Sequence, residues 1–438
     1  MVEVCFFGGV WAGREVPLLR RGAVAAVALY LGVLLLCMIV PPDFFAERFG
    51  GREFTLHERV LTQARVLWHY LAWLALPDIS AMGFQHDDIP LSNGLLSPFT
   101  TLAAIAGWAL ALAAAVVLRR RFPLLLFALL FYLVGHSLES TVWPLEMVYE
   151  HRNYLPVIGF CMLFASLLAA PLLRGASAGL PARVLVTAFP VLLLALLLVR
   201  VDTWSDGLRL AGVNVGNHPE SSRSHYFYAN ELLARYRRSE ALGLSEEEAR
   251  AALLGARVHF EKMYETNPRD VAALVMLHSL DSQYAADAPD RTDWLAELER
   301  LLESRVLQAS DLNALAALIG CLNAGGCAAD RERILGLLDR LDERYPDSLT
   351  LLGWRYTYLM EHAESPEQLE RVLDRALALN PRRPEFLYRR IEHQARARDV
   401  GGMYETVGQL LLHDERRLRL GQLQRLFIMD EPAPEDTP

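Results

Sequence analysis

The sequence predicts an all-α protein in which a polytopic transmembrane helical domain is followed by a helical solenoid. Three observations lead there. The chain is 53% hydrophobic and only 22% charged over 438 residues. Its mean hydropathy lies above zero, which soluble globular chains rarely reach. Charge is also unevenly spread: residues up to about 201 carry little of it, whereas those from 202 onward are rich in Glu, Asp and Arg at helical spacing. Convincing strand signals are absent from the second half. We expect residues 1–201 to lie in the membrane, 202–430 to form helical repeats, and 431–438 to be a disordered tail.

The membrane half reads as about five spans and one interfacial helix. Gly22–Val40 is the first span, close to the roughly 20 residues that cross a hydrocarbon core. It follows Arg14, Arg20 and Arg21 and lacks a small-residue cleavage pattern, so it reads as retained and not as a signal peptide. A polar, aromatic stretch covers Asp43–Arg65. Val66–Leu76 is apolar but only about 11 residues long, which suits a helix lying at the interface. Phe99–Leu118, Phe122–Gly135, Leu155–Leu173 and Arg183–Val199 are the remaining spans.

Arginine placement orients this half. With five spans, Arg14, Arg20, Arg21, Arg119–Arg121, Arg174 and Arg183 all fall on one side, which is the cytoplasm. The loops around Asp87 and Glu150, and everything after Arg200, then share the opposite face. If Val66–Leu76 crossed, the triple arginine would land outside. We expect a multi-pass protein of a bacterial inner membrane with its helical repeats in the periplasm.

Amphipathic segments fill the second half: Ser221–Tyr236, Glu246–Tyr264, Asp270–Leu280, Asp293–Glu303, Asp311–Leu322, Arg331–Tyr345, Ser348–Met360, Pro366–Leu379, Pro384–Arg396 and Met403–His413. Pro346 and Pro381 lie about 35 residues apart, near the roughly 34-residue tetratricopeptide period. Val372–Pro381 resembles the second helix of such a repeat, and Glu261–Pro268 has the same ending. The concave face of a solenoid of this kind binds an extended peptide or a partner protein, the bland alternative being a passive spacer.

Of the five cysteines, Cys5, Cys37 and Cys161 lie in or near apolar runs and read as packing residues. Cys321 and Cys327 flank a Gly-containing turn between two helices and are candidates for a disulfide in an oxidising compartment. No paired CxxC motif argues for zinc, and we expect no metal site. The net charge of -9 with mixed signs, and the lack of a basic block, argue against a nucleic-acid partner.

Chemistry-bearing residues gather in two loops. His136–Pro156 lies between apolar runs and holds three carboxylates, two histidines and an arginine, which at a membrane surface read as a site for a polar or lipid-linked ligand. An interfacial belt of Trp and Tyr with solvated charges is the alternative. His86-Asp87-Asp88 could supply a general base or hold a divalent cation, against a solvated turn.

Gln85–Ser92 after a short amphipathic helix, Glu150-His151-Arg152-Asn153-Tyr154-Leu155-Pro156 before a span, and helical repeats after the last span occur in that order. Together they resemble the multi-spanning TMTC-related protein O-mannosyltransferases, which carry C-terminal tetratricopeptide repeats on a GT-C type fold. The resemblance covers about Leu56 to the end of the repeats. It implies transfer of a sugar from a polyprenyl-phosphate-linked donor to a protein on the non-cytoplasmic face. In that reading Arg152 holds the lipid phosphate, with Glu150 and His151 orienting it. Asp87, Asp88 and Glu150 are the candidate catalytic carboxylates, and no further cofactor is implied. The family's first-loop acid has no equivalent before Gly22, and Met1–Phe7 reads like the tail of an earlier helix. The expectation is therefore either a chain lacking N-terminal spans or a non-catalytic, membrane-anchored scaffold for an envelope complex.

Overall fold

The computed structural model describes residues 54–137, 139–173, 180–284, 292–362 and 365–415, together with residues 10, 11, 14, 15, 21, 25, 28, 29, 32, 49, 52, 417–419, 422 and 423. Sixteen α-helices occur among them, with a 3-10 turn at Glu150–Asn153 and a two-stranded antiparallel pair, β1 (Val10–Trp11) and β2 (Arg14–Glu15). The chain is thus all-α. The opening Met1–Phe7, the expected tail 431–438 and most of the expected span Gly22–Val40 lie outside the described residues. Ala25, Ala28, Leu29 and Gly32 of that span are helical. Contacts divide the chain into two compact units, Met1–Ala273 with Leu307–Ala309, and Leu274–Val306 with Ser310–Pro438.

In the first unit, α1 (Leu56–Ala75) starts ten residues before the Val66 expected from hydropathy. Its start is a capping box. Thr55 Oγ1 accepts from the Glu58 amide at 3.2 Å, and the Glu58 carboxylate accepts from the Thr55 amide at 2.8 Å. The added turns carry polar side chains, yet Arg59, Thr62 and Gln63 are buried. They are inside because loop backbone is there to pair with them, carbonyls accepting from Arg59 and Gln63 and the Ser92 amide donating to the Thr62 hydroxyl, not because they are apolar.

Helices α2 (Thr100–Leu118), α3 (Pro123–His136), α4 (Ile158–Leu173) and α5 (Leu180–Thr203) follow. Among the described residues, two segments are long and apolar enough to cross a membrane, Thr100–Leu118 and Val186–Thr203. Pro123–His136 and Ile158–Ala170 are apolar but shorter. Pro123 stands at the first turn of α3, where its missing amide leaves no partner wanting. Large apolar side chains point outward from both long segments, among them Leu110 and Val117 of α2 and Leu197 and Leu198 of α5.

Helix α1 is fastened to α2 by two tryptophans. The indoles of Trp68 and Trp108 stack with centroids 4.1 Å apart. Each donates its N–H to a carbonyl of the opposite helix, Trp68 to Ala104 at 3.1 Å and Trp108 to Ala64 at 2.9 Å. The Tyr132 hydroxyl of α3 donates to the Leu67 carbonyl at 2.7 Å. Burying these rings therefore leaves no donor unsatisfied. Gly159 lets α4 press on α3, since a Cβ there would lie 2.7 Å from Ala128 Cα.

The unit is completed by α6 (Gly207–Asn217), α7 (Ser222–Arg237) and α8 (Glu246–Thr266). The expectations at Ser221–Tyr236 and Glu246–Tyr264 match α7 and α8 within two residues. Helix α6 was not foreseen: Gly207, Gly212 and Gly216 weaken its helical signal. Helix α9 (Val271–Tyr284) carries the boundary between the units.

The second unit continues with α10 (Trp294–Ser304), α11 (Ala309–Asn323), α12 (Arg331–Arg344), α13 (Leu349–Glu361), α14 (Pro366–Leu379), α15 (Pro384–Arg396) and α16 (Val400–His413). Successive helices bury one apolar face each. Leu352, Tyr356 and Leu359 of α13 pack with Leu369, Leu373 and Ala376 of α14 and Phe386 of α15. Leu387 and Ile391 of α15 pack with Leu410 of α16. Arginines link the outer faces: Arg333 reaches Glu299 at 2.7 Å and Asp293 at 2.9 Å, and Arg375 reaches Asp342 at 2.5 Å.

Candidate functional site

The site lies in the first unit, where the loop from Asp78 to Pro98 meets the end of α6. His218 caps α6, its amide donating to the Asn214 carbonyl at 2.8 Å. The Asn214 side-chain oxygen accepts from the Phe84 amide at 3.1 Å, so the loop is tied to the helix. His218 Nδ1 stands 2.8 Å from Asp88 Oδ2. Burial raises the Asp88 carboxyl, but the hydrogen bond from His218, the charge interaction with His218 and a backbone amide together hold the group below the usual carboxylate range. An ionised carboxylate only accepts, so a ring proton sits on Nδ1 and Nε2 is the nitrogen turned away from Asp88. That Nε2 is buried and has no hydrogen-bond partner. Gly83 covers it, and a Cβ at Gly83 would lie 2.9 Å away.

His86 is the next member. Its ring stacks on Trp73 at 5.5 Å and meets the His218 ring edge-on at 5.2 Å. Its Nε2 lies 3.5 Å from Glu150 Oε1. Glu150 opens a 3-10 turn, Glu150–Asn153, and its other oxygen is 3.2 Å from Arg200 of α5. Arg200 also donates to the Met82 carbonyl at 3.1 Å. His86 Nε2, Asp88 Oδ1 and Glu150 Oε1 are, like His218 Nε2, buried without a hydrogen-bond partner. Buried polar atoms are normally satisfied. A group of them on touching residues therefore marks a place for a ligand or bound water.

A cavity of about 620 Å³ adjoins this cluster. Arg65, His69 and Trp73 of α1, His86 and Asp88 of the loop, and Asn217 and His218 line it. The size is that of an ordinary small-molecule site. Among the described residues, no group of three or more His, Cys, Asp or Glu side chains is placed to hold a metal ion.

The other residues singled out by the sequence have different surroundings. Both Asp87 oxygens are engaged, one by the Ser221 hydroxyl at 2.5 Å and one by the Arg223 amide at 3.1 Å. Asp87 therefore clasps the loop to the N-terminus of α7, where a carboxylate is favoured. Arg152 donates to the Glu146 carbonyl at 2.5 Å, lies 3.6 Å from the Glu139 carboxylate, and covers the Tyr149 ring at 4.9 Å. His151 is exposed and stacks on Tyr149 at 5.1 Å. Neither Arg152 nor His151 lines the cavity.

Arg152 belongs to an arginine knot that holds the 139–146 segment. Arg59 is fully buried and donates to the carbonyls of Leu145 at 2.5 Å and Glu139 at 2.7 Å. Burial, then Arg152 and Arg52, push the Arg59 guanidinium down to about 10. Glu146 bridges Arg52 at 2.5 Å and Arg223 at 2.7 Å. Burial raises the Glu146 carboxyl, but Arg223 and Arg52 together hold it below its usual range.

Sequence reasoning thus named Asp88 and Glu150 but missed His218, Trp73 and Arg200. The signal for His218 was its position just after a helix capped by Asp206, hidden by the three glycines of α6. In the second unit, Cys321 and Cys327 form a disulfide with Cα atoms 5.5 Å apart. A groove of about 390 Å³ there is lined by Leu335, Leu352 and Val372 with Asp342, Arg355 and Arg371.

Fold and site together define an all-α protein that has, among the described residues, two span-length apolar segments and a histidine–carboxylate cluster beside a cavity. No family model, no curated protein and no solved structure matches this chain.

Proposed function

We propose that the chain is a membrane-embedded glycosyltransferase of the GT-C type, or the C-terminal portion of one. It would transfer sugar from a polyprenyl-phosphate carrier to a hydroxyl of a protein. The observation that carries this reading is the Asp88–His218 pair, with its tautomer fixed and its Nε2 unengaged. A neutral imidazole held by a carboxylate is suited to take a proton from a hydroxyl. In the reaction, the acceptor hydroxyl gives its proton to His218 Nε2 while its oxygen bonds to the sugar's anomeric carbon. The anomeric carbon–oxygen bond to phosphate breaks, and polyprenyl phosphate leaves with the electron pair.

In this reading Asp88 positions His218, and Glu150 keeps His86 beside it. Arg65, which lines the cavity, is the cation best placed for the lipid phosphate. Arg152 and His151, which the resemblance implies for the phosphate, lie outside the cavity lining, Arg152 donating to the Glu146 carbonyl. The membrane placement is supported by the outward apolar faces of α2 and α5. We propose the polytopic inner-membrane topology inferred from the arginines, with the helices of residues 202–430 on the periplasmic side and tetratricopeptide-like repeats among them that bind acceptor or partner proteins. The Cys321–Cys327 disulfide suits an oxidising compartment.

The test uses membranes containing the full chain, a labelled polyprenyl-phosphate hexose and envelope-protein extract. Wild-type membranes should label protein, and His218→Gln should lower the rate by about 100-fold or more. Equal rates would remove His218 from the reaction.

One observation favours a second reading, that of a non-catalytic scaffold. Asp87, Glu146 and Arg152 are all engaged in fastening loops to helices. A scaffold needs those fasteners and no base, so it predicts that His218→Gln is without effect while changes along the groove at Arg355 and Arg371 release partners.

A further inference from the structure

We infer that the turn at residues 93–99, just ahead of α2, is a lipid-inserted tip that seats the non-cytoplasmic end of that helix where headgroups meet acyl chains. The inference rests on the membrane placement proposed above and not on any sugar chemistry.

Leu95 and Leu96 stand at the centre of a tight turn. The Asn93 amide donates to the Ser97 carbonyl at 2.9 Å, and the Ser97 amide to the Gly94 carbonyl at 3.3 Å. Turn centres that face water favour Gly, Asn, Asp, Ser and Pro, which suit both the bend and the solvent. Here two leucines occupy them and point outward, Leu95 52% and Leu96 68% exposed, with Phe99 beside them at 66%. The base of the turn is polar and fixed. The Ser92 amide donates to the Thr62 hydroxyl at 2.8 Å, the Thr101 hydroxyl donates to the Ser92 hydroxyl at 2.8 Å, and Arg65 donates to the Pro90 carbonyl at 2.8 Å. Polar ties to α1 and α2 at the base, with an apolar tip beyond them, make a held wedge.

Continuity with α2 says what covers the tip. The Leu102 amide donates to the Leu95 carbonyl at 3.0 Å. Phe99, Leu102 and Ile105 follow at three-residue spacing, and all three are exposed. The tip therefore runs without a break into the outward stripe of a segment long enough to cross a membrane. In the proposed topology α4 opens on the same face, and Tyr154 and Leu155 just ahead of it are exposed as well. Aromatic and aliphatic groups at the ends of spans are what the interfacial layer takes up. A turn that closes its own backbone hydrogen bonds also suits a layer poor in water.

The experiment is spin-label accessibility on the full chain in vesicles of phosphatidylcholine and phosphatidylglycerol. Cys5, Cys37 and Cys161 are replaced by Ser, and the Cys321–Cys327 disulfide is kept. A nitroxide is placed in turn through Leu95→Cys and Leu96→Cys at the tip, Leu110→Cys within α2, and Glu247→Cys on the exposed face of α8. Collisions with oxygen, which concentrates in lipid, are compared with collisions with a water-soluble nickel chelate. Both tip labels should favour oxygen, with an oxygen-to-nickel ratio several times that at Glu247→Cys and below that at Leu110→Cys. Nickel-dominated collisions at the tip, with oxygen dominant at Leu110→Cys, would overturn the inserted tip and keep the span. Nickel dominance at Leu110→Cys too would remove the membrane placement and the tip with it. Tip labels shielded from both reagents would mean that a protein surface covers the turn, which also overturns the inference. Leu95 and Leu96 are exposed, so both substitutions leave the core intact, and helicity at the wild-type level checks this.

Discussion

Asp88 and His218 are 130 residues apart in the chain, yet their carboxylate oxygen and ring nitrogen lie 2.8 Å apart. The contact joins the loop after α1 to the end of α6, and it fixes which imidazole nitrogen can act as a base.

Stability should follow the Asp88 charge. Its carboxyl is held below the usual range, as is that of Glu146. A depressed carboxylate stabilises the fold above its unfolded pKa, and that contribution is lost as pH falls through the folded value. Thermal unfolding in detergent should therefore shift to lower temperature between about pH 5 and pH 2. Asp88→Asn should start lower at neutral pH, by about 1–3 kcal/mol, and lose less on acidification. Parallel wild-type and variant curves would contradict this.

Gly83→Ala tests the close approach over His218. The new methyl would sit 2.9 Å from Nε2 and 3.0 Å from the Asn214 side-chain oxygen. Relieving that clash must lift the loop from α6, at a cost of about 1–3 kcal/mol. Sugar transfer should fall with it, and unchanged thermal unfolding would show that the loop accommodates the methyl.

Arg59 holds the central loop from inside. Arg59→Met keeps much of the volume but strands the carbonyls of Glu139 and Leu145. We expect a loss on the order of 3 kcal/mol in denaturant unfolding. Proteolysis should then cut first within residues 139–149. A loss below about 1 kcal/mol would mean that water replaces the guanidinium without difficulty.

Reduction of Cys321–Cys327 opens a loop of sequence separation 6. So short a loop constrains the unfolded chain by only about 2 kcal/mol. Dithiothreitol, or the double serine variant, should lower the unfolding temperature of the second unit slightly and leave sugar transfer unchanged. Collapse of the second unit on reduction would contradict this.

How much of this could be read from residues alone depends on distance along the chain. Helix α14 falls at Pro366–Leu379 and α15 at Pro384–Arg396, as the three-and-four spacing required. That pattern is local. The start of α1 was missed because Arg59, Thr62 and Gln63 look solvent-facing until the loops whose backbone pairs with them are in place. The Thr55–Glu58 capping box was visible and is the better guide. Asp87 and Asp88 are adjacent and chemically alike, yet one clasps α7 and the other orients His218. Only tertiary contacts from beyond residue 200 distinguish them. His218 itself had no periodic pattern to announce it, since three glycines obscure the helix it ends.

The most direct test of the central claim is the glycoform profile of envelope proteins, read by mass spectrometry in cells that lack the gene. Complementation with the wild-type chain should restore a glycoform lost on deletion. His218→Gln, present in the membrane at the wild-type level, should not restore it. If deletion changes no glycoform, or His218→Gln restores it in full, the Asp88–His218 pair is not the base of a glycosyl transfer and the scaffold reading takes its place.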